Sequence, residues 1–412
     1  MSWQIFETTG ETLQIKYEKN KLLSYESKSS SSKTLKLIEG EKRAIVTGEF
    51  ETSDEDLIKS AKKYIQYGYL VDYDFLKDIK YSTKPKLQSK YFESLNPKKI
   101  QEIGDLLIKK VSDNIKNLAV DLKIARSSQQ VQIRNSFHLE GGYEVDTFII
   151  EALFSACNEN DIFFWDSTFS SIPQSENEIW EWLDNLIIQL KQLQTISEIK
   201  AGSYPFIFPP EIVSSCLLPV LDSGFSPRGL ENKTSPLFSK LNQKILSKKV
   251  NIYETAQYIP FDSDGIPSEA KSYIKSGVLT NLPIALSSAK KIGFKANGAN
   301  FNGSFCSDLT FEPGDTSVSD MIQSISEGVY LLMSGDMTQG EIINGDLSGT
   351  IMVALHIKNG KIIGRIKGKT LSCNFYQILN EKLLSISTET KSFGSQSFLK
   401  CPYIMAENIS II

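Results

Sequence analysis

Histidine, the side chain that most often carries acid-base and metal chemistry near neutral pH, is nearly absent from this chain. Only His138 and His356 occur among 412 residues, and they lie far apart in the sequence. A Ser-His-Asp or Cys-His catalytic set would have to use one of them, and a local site with several histidine ligands cannot be built. The composition therefore excludes most hydrolytic designs.

The sulfur chemistry is equally sparse. Five cysteines are scattered along the chain without a C-x-x-C pair: Cys157, Cys216, Cys306, Cys373 and Cys401. An odd number of cysteines in a chain of this length favours reduced, mostly buried thiols over a disulfide framework.

The surroundings of the two histidines and of the last cysteine do not complete a site. His138 stands two residues before Glu140, but the paired cysteines of a zinc deaminase are missing. His356 lies within an apolar run typical of a strand, where histidine is commonly a structural or surface residue. Cys401 precedes Pro402 and has no histidine motif to join. We predict no catalytic residue, no cofactor-binding residue and no metal ligand in this chain.

The acidic stretch Asp262-Ser-Asp-Gly265 matches the start of a calcium loop and therefore suggests a calcium site. Such a loop needs oxygen ligands at positions 1, 3 and 5 and a glycine at position 6. Here Ile266 and Pro267 occupy positions 5 and 6. Asp, Ser and Gly also favour tight turns, so we predict a turn without metal.

Length, composition and charge limit the classes of protein to which this chain can belong. A chain of 412 residues with 41% hydrophobic and 23% charged residues is typical of a soluble protein of two or three domains. The formal charge of −4 provides no strong field for nucleic acid or an acidic membrane. The longest apolar runs, such as residues 216–221, are far shorter than the roughly 20 residues that cross a bilayer. The first residues lack the basic-then-apolar pattern of a secretory signal, so we expect a cytoplasmic protein.

The first half of the chain alternates between strand and helix patterns. The first fifty residues predict strands joined by a turn at Glu39-Gly40, with the serine run 29–32 as a loop. Helices are predicted after Ser53 as N-cap, from Pro97, and over residues 175–196. The aromatic-rich segment 137–170 either packs this sheet against its helices or anchors a specialised partner.

The second half is mostly strand-like. Residues 211–221 predict a helix that Pro219 interrupts or terminates, and residues 375–384 predict another. Two extended runs, 271–274 and 278–282, predict a hairpin. Asn359-Gly360 between alternating apolar residues predicts a second one. We divide the chain into an N-terminal α+β domain, 1–198, and a β-rich C-terminal domain, 199–412.

The order of motifs in the second half resembles the TldD/PmbA family, whose members are also described as modulators of DNA gyrase. The resemblance rests on GSYPFIFPPE, on PFDSDGIPSEAKSYIKSGVLTNLPIALSSAKKIG, on GDLSGTIMVALHIKNGKIIGRIKGKTLSCNFYQIL and on the closing PYIMAENISI. It covers residue 202 to the end, and more weakly the opening strands and helix. It implies a barrel-like C-terminal domain in which the Asp262 turn belongs to a structural hairpin.

The family contains two kinds of subunit. The TldD kind carries His-Glu-x-x-x-His shortly after the Tyr-Pro strand, and a late cysteine completes its zinc site. The PmbA kind, also called TldE, lacks the motif. In this chain the corresponding positions are Leu218, Pro219 and Ser223. The resemblance therefore implies a TldE-like subunit without a zinc site.

The resemblance implies a non-catalytic partner of a TldD-like zinc metalloprotease, which helps to form a chamber for short or unfolded peptides. The alternative is a stand-alone homodimer that binds a peptide or another ligand without catalysis. A third hypothesis, an enzyme that uses Ser or Asp, is disfavoured by the scarcity of histidine. In the first two cases we expect the main dimer contact in the C-terminal domain, because exposed strand edges must be covered.

The first prediction concerns metal content. Because Leu218, Pro219 and Ser223 stand at the positions of the ligands and the base, the purified protein should contain substoichiometric zinc and show no chelator-sensitive peptidase activity. Elemental analysis of the purified chain measures this directly. One tightly held zinc per chain, lost on substitution of His138 or His356, would contradict the prediction.

Overall fold

The computed structural model describes residues 1–81, 89–158, 161–301, 304–337, 340–394 and 398–412. Its first sheet has seven strands in the order β4-β3-β2-β1-β5-β6-β7. These strands are β1 (Ser2–Glu18), β2 (Lys21–Glu39), β3 (Lys42–Gly48), β4 (Tyr69–Leu70), β5 (Ala119–Asn135), β6 (Glu140–Asn158) and β7 (Asp161–Ser171).

The second sheet contains every later strand. They are β8 (Gly202–Phe208), β9 (Ile252–Glu254), β10 (Lys271–Lys275), β11 (Val278–Leu279), β12 (Asp308–Phe311), β13 (Glu327–Gly335), β14 (Asp346–Lys358), β15 (Lys361–Ile366), β16 (Lys369–Asn374), β17 (Leu383–Gly394) and β18 (Phe398–Ile411). No strand pairing among the described residues joins the two sheets.

The α-helices are α1 (Asp54–Tyr64), α2 (Lys90–Ser94), α3 (Pro97–Asn114), α4 (Asn177–Gln192), α5 (Pro210–Ile212), α6 (Leu218–Gly224), α7 (Pro227–Glu231), α8 (Leu286–Ile292), α9 (Val318–Ser324) and α10 (Phe375–Ile378). Short 3₁₀ turns cover Ile65–Tyr67, Phe238–Lys240 and Ile342–Asn344. A π-helical segment, Val213–Leu217, joins α5 to α6. In the part of the chain that the structure describes, no helix is long and apolar enough to cross a membrane.

Five strands of the second sheet close into a barrel. Strand β8 pairs in parallel with β13, and β13 pairs with β14. Strand β14 pairs with β16, β16 pairs with β18, and β18 returns to β8. This ring confirms the predicted α+β fold with a barrel-like C-terminal region.

Local signals at helix ends and turns were reliable. The Ser53 hydroxyl accepts a hydrogen bond from the Asp56 N–H and caps α1, and α3 begins at Pro97. The β14–β15 hairpin turns at Asn359 and Gly360, which both have positive φ. Such two-residue turns require left-handed backbone, which Asn and Gly tolerate best. The β10–β11 hairpin turns at Ser276-Gly277 in the same way, although β11 is only two residues long.

Two predicted elements were wrong. The serine run 29–32 is not a loop but lies inside β2, paired with residues 8–11 of β1. The helix predicted over residues 375–384 ends at Ile378, and β17 follows from Leu383. In each case pairing with distant strands overrides the local preference.

The two halves of the chain share one hydrophobic cluster. Helix α4 contributes the buried side chains Leu183, Ile187 and Leu190. The same cluster contains core residues of the N-terminal sheet and, from the barrel, residues such as Tyr330 and Leu355. The strands before and after residue 198 belong to different sheets, but one hydrophobic cluster contains residues of both halves. The domain division at residue 198 therefore stays a prediction.

Buried ion pairs join the halves at two further places. Lys36 of β2 contacts Asp264, with 2.7 Å between ammonium nitrogen and carboxylate oxygen, and both side chains are mostly buried. Arg365 of β15 is buried, stacks on Phe163 of β7, and donates to the Asp161 carboxylate. Each pair connects a strand of the first sheet or its end to a segment of the second half.

The second prediction concerns the Lys36–Asp264 pair. Replacing Lys36 with Met leaves a buried carboxylate without its counter-charge, so the free energy of unfolding should fall by about 3 kcal/mol. Burial raises the pKa of Asp264, but Lys36, the Asn300 amide and Arg43 together outweigh this and hold the pKa below its usual range. The effect should therefore be full above about pH 4, the usual pKa of an aspartate, and shrink at lower pH as Asp264 protonates.

Urea unfolding at several pH values measures this difference. The matched control is Lys109→Met, which removes an exposed i,i+4 partner of Asp113 and should cost about 0.5 kcal/mol or less. Equal losses for the two variants at neutral pH would show that the buried pair does not stabilise the fold.

Candidate functional site

The candidate site is built around the helical segment that follows β8, residues 210–224. Pro210 stands at the first helical position, where its missing N–H is not needed. Pro219 does not terminate the helix, contrary to one of the two outcomes predicted, because α6 continues to Gly224. The π-helical segment directly before Pro219 accommodates it, since a wider turn moves the carbonyl four residues back away from the proline ring.

The three positions that the family resemblance predicts to correspond to the zinc motif lie on this segment. Leu218 is buried in the core of the second half. Pro219 and Ser223 lie one turn apart on α6 and are half-buried. The apolar side chain of Leu218 thus packs the helix against the barrel.

A polar cluster lies where α5 packs against β13 and β18. The Glu211 carboxylate accepts a hydrogen bond from Lys391, a residue of β17. Two tyrosines, Tyr330 and Tyr403, meet edge to face with their ring centres 6.3 Å apart. The Tyr330 hydroxyl accepts a hydrogen bond from the Gln189 side chain of α4 at 3.2 Å. The cluster therefore joins the helix, the barrel and α4.

Burial keeps the two tyrosines of this cluster and the neighbouring Cys401 thiol protonated. Burial and the negative charge of Glu211 raise the pKa of the Cys401 thiol far above its usual value. The same two causes raise the pKa of Tyr403 to about 12. Burial and the neighbouring Tyr403 raise the pKa of Tyr330 still further. At neutral pH these groups are therefore a neutral thiol and neutral phenols, which are weak nucleophiles.

The structure separates the residues that could have formed a metal site. His138 is exposed in the turn between β5 and β6, with φ +62°. His356 is buried in β14, where its Nδ1 lies 2.8 Å from the Ser197 hydroxyl and its Nε2 lies 3.2 Å from a Glu327 carboxylate oxygen. Among the described ranges, no group of three or more His, Cys, Asp and Glu side chains surrounds a common point.

The calcium-like stretch is a tight turn, as predicted. One Asp262 carboxylate oxygen accepts the N–H groups of Asp264 and Ile266, at 2.9 and 3.0 Å. The other accepts those of Ala299 and Asn300, both at 3.1 Å. Gly265 follows with φ +80°. The oxygens that would face a cation are thus occupied by four backbone donors.

Sequence reasoning missed a cavity of about 380 Å³ on the N-terminal sheet. Strands β5 and β6 form its floor, and Lys80 and Tyr81 line one side. Charged side chains of both signs, including Glu7 and Arg134, face it, and these two form an ion pair of 2.9 Å. The alternation of Gln130, Gln132 and Arg134 along β5 is the only sequence signal that marks this surface.

The aromatic-rich segment is mainly structural. Five of its aromatic side chains are buried in the cluster shared with α3 and α4: Phe148, Phe154, Phe163, Trp165 and Phe169. These residues favour the packing interpretation over a specialised docking site. Phe164 is an exception, because 38% of its surface is exposed.

Comparison with known proteins identifies the family of this chain. Residues 201–412, slightly more than half of the chain, match the family model described as the PmbA/TldA metallopeptidase C-terminal domain. The chain belongs to the PmbA/TldD family. This confirms the resemblance carried by the motifs from GSYPFIFPPE onwards, and the matched range contains the whole barrel and the helical segment 210–224.

Curated relatives match over the same half. The chain is 26% identical to the metalloprotease PmbA homolog of Buchnera aphidicola over 221 residues, which is 52% of this chain and 47% of the relative. It is 25% identical to metalloprotease PmbA of Escherichia coli O157:H7 over 223 residues, or 52% of this chain and 46% of the relative. The matched part thus spans about half the length of these PmbA/TldD proteins.

Solved structures extend the likeness to the whole fold. TldE from Thermococcus kodakarensis aligns with a TM-score of 0.87 at 18% identity, covering 100% of this chain and 96% of that one. A protein described as a modulator of a DNA gyrase, from Thermotoga maritima, aligns with a TM-score of 0.88 at 18% identity and the same coverage. At this identity the likeness establishes the PmbA/TldD fold.

The third prediction concerns thiol reactivity. Because burial raises the pKa values of Cys306, Cys373 and Cys401, iodoacetamide should label the folded protein at the exposed Cys157 only. Raising the pH from 7 to 9 should not add label at Cys373, whose pKa burial raises to about 12. Peptide mass spectrometry locates the label, and urea should expose all five cysteines. Labelling of Cys401 in the folded protein as fast as Cys157 would contradict the neutral, buried thiol.

Proposed function

We propose that this chain is a TldE/PmbA-like subunit without catalytic residues, which pairs with a TldD-like zinc metalloprotease and helps to form its peptide-processing chamber. One observation carries the proposal: Leu218, Pro219 and Ser223 stand where the TldD kind has His, Glu and His. Membership of the PmbA/TldD family and the fold likeness to a TldE support the proposal.

The surroundings of the helical segment support the proposal. A catalytic zinc subunit needs imidazole and thiolate ligands and a carboxylate base near one open coordination position. Here Leu218 contributes to the hydrophobic core, and the late cysteine Cys401 is a fully buried, neutral thiol in β18. His356 is occupied by Ser197 and Glu327. The side chains stabilise the barrel instead of offering ligands.

A non-catalytic partner of this kind affects the turnover of the catalytic subunit by positioning the peptide. If zinc and base reside in the other subunit, this chain can only orient the peptide and close the chamber around it, and such effects act on the barrier through proximity. Sheets suit the task, because a peptide backbone can add to a strand edge without sequence demands. We place the contact with the partner in the C-terminal domain and the assembly in the cytoplasm.

The fourth prediction is the reconstitution that tests this function. The chain should have no peptidase activity alone, and mixing it with a TldD-like subunit from the same genome should give a stable complex that cleaves an unfolded peptide. His138→Ala and Cys401→Ser should leave the rate of the complex within about threefold, because neither side chain supplies acid, base or ligand. Replacing the motif glutamate of the TldD-like subunit with Gln should abolish cleavage.

The measurement plots peptidase rate against the fraction of assembled complex, determined by light scattering. Loss of turnover with Cys401→Ser or His138→Ala at full assembly would show that this chain contributes chemistry and would overturn the proposal. A mass that never changes on mixing would remove the partner role and leave the stand-alone homodimer.

A further inference from the structure

The second half of the chain carries a run of lysines that no carboxylate interrupts. Residues 232–253 contain five lysines and neither Asp nor Glu, and a sixth lysine stands at the end of β10, beside the turn of the β10–β11 hairpin. We call these six exposed residues the lysine surface: Lys233, Lys240, Lys244, Lys248, Lys249 and Lys275. The formal charge of the whole chain is −4, so this positive surface is a local feature and does not follow from a basic composition.

The hairpin fixes the backbone beneath the lysines. The Leu246 N–H donates to the Gly277 carbonyl at 3.0 Å, and the Gly277 N–H donates to the Val250 carbonyl at 2.9 Å. A Cβ atom on Gly277 would lie only 2.2 Å from the Leu246 carbonyl oxygen, so the turn and the run are in direct backbone contact. Leu246 and Val250 are fully buried, while the lysines around them stay exposed. The lysine side chains therefore project from a rigid platform.

The lysine surface contains no acidic partner. Glu231 and Glu254 flank the run in the sequence, but both are already paired. The Glu231 carboxylate lies 2.9 Å from the Lys291 ammonium. The Glu254 carboxylate is buried and lies 2.7 Å from the Lys271 ammonium. In the described ranges none of the six lysines forms an ion pair, and the Lys249 ammonium donates to a backbone carbonyl at 2.9 Å. An anionic partner that spans several of these charges would relieve their mutual repulsion.

An exposed carboxylate stands at the rim of the lysine surface. The Ser247 N–H donates to the Leu379 carbonyl at 2.8 Å, which brings the residues after Leu379 close to the run. Glu381 is exposed there, and Lys382 follows it directly. These two charges offset each other, so the field of the lysine surface stays positive.

The details of the surface select among anionic partners. A long nucleic acid would extend beyond the lysines over a chain of negative net charge. It would also need free aromatic faces for base stacking. The face of Phe238 has the Lys233 ammonium 5.8 Å from its centre, and the Phe294 ring packs edge to face against it at 6.4 Å. A membrane surface binds through apolar side chains that insert beside the lysines. Between residues 232 and 301, Phe294 is the one large apolar side chain that is exposed.

We propose that the lysine surface binds an acidic, unfolded segment of a polypeptide. Such a segment presents a limited number of carboxylates on a flexible backbone, so it can match six ammonium groups without extending over the acidic remainder of the chain. The contact is made by exposed charges, which salt screens beyond about 10 Å at 0.1 M. We therefore expect weak binding that depends strongly on ionic strength.

The inference names a substrate class for the proposed function. The run begins just after α7, which follows the helical segment 210–224 along the chain. That the bound segment is then processed rests on the proposed function. That it binds to the lysine surface does not, and the test below uses this chain alone.

The fifth prediction concerns a fluorescent peptide of about twelve residues, half of them glutamate and the rest serine and glycine, a composition that stays unfolded. Fluorescence anisotropy should show that it binds the purified chain at about 50 mM salt. The dissociation constant should rise at least about tenfold at about 300 mM salt, because exposed charges are screened. The same peptide with glutamine in place of glutamate should not bind.

Charge reversal locates the site. The triple variant Lys244→Glu, Lys248→Glu and Lys275→Glu should raise the dissociation constant of the glutamate peptide at least about tenfold, because three attractions become repulsions. Arginine at the same three positions keeps the charges and should change the constant less than about threefold. Circular dichroism of each variant confirms folding.

The matched control reverses three exposed lysines of α1 and α3, with the substitutions Lys59→Glu, Lys63→Glu and Lys98→Glu. It changes the net charge by the same amount but far from the run in the sequence, and should change the dissociation constant less than about threefold. Equal weakening by the control and the test variant would show that only the net charge matters and would overturn the inference.

Two further outcomes would contradict the inference. The first is a glutamate peptide that fails to bind at low salt, even if the reconstituted complex cleaves other peptides, in which case the proposed function stands alone. The second is tighter binding of a single-stranded oligonucleotide of the same charge, or of vesicles that contain phosphatidylserine, which would assign the lysine surface to that partner. Binding of the glutamate peptide by a chain that never assembles with a TldD-like subunit would support the inference and remove the proposed function.

Discussion

Two sheets that share no strand pack against the apolar face of one helix, and the rest of the structure depends on this packing. Helix α4 buries Leu183, Ile187 and Leu190 in a cluster that reaches from the first sheet to the barrel. Burial of one such side chain contributes about 1.5–3 kcal/mol, which exceeds what an exposed ion pair could supply. The Gln189 side chain on the same helix reaches Tyr330, so the helix also fixes the polar cluster beside Glu211.

The buried ion pairs make this apolar packing specific for one arrangement of the two sheets. Lys36 and Arg365 each cross between the halves of the chain, and each meets a carboxylate that is itself mostly buried. A mispositioned half would leave these charges unpaired in a poorly solvated place, which costs several kcal/mol. We infer that apolar burial supplies the stability, while the ion pairs select one relative placement of the sheets.

The sequence predicted those parts of the fold whose cause is local. Ser53, Pro97 and Asn359-Gly360 act through the backbone within a few residues, and each was located correctly. The serine run 29–32 failed because its backbone is committed to β1, a partner many residues away. The correspondence of Leu218, Pro219 and Ser223 to the zinc motif rests on spacing and stays a prediction. The neutral state of Cys401 could not be predicted, since it depends on burial beside Glu211, a residue almost 200 positions earlier.

Strand β18 follows every other barrel strand in the sequence, and this order has a consequence for synthesis. This strand pairs with β8, β12, β16 and β17, so the barrel cannot close until β18 has left the ribosome. The seven strands of the first sheet are all available by residue 171. Domains generally fold as units during translation, the N-terminal one first. During synthesis β8 and its helix therefore remain without their β18 partner until the other barrel strands have been made.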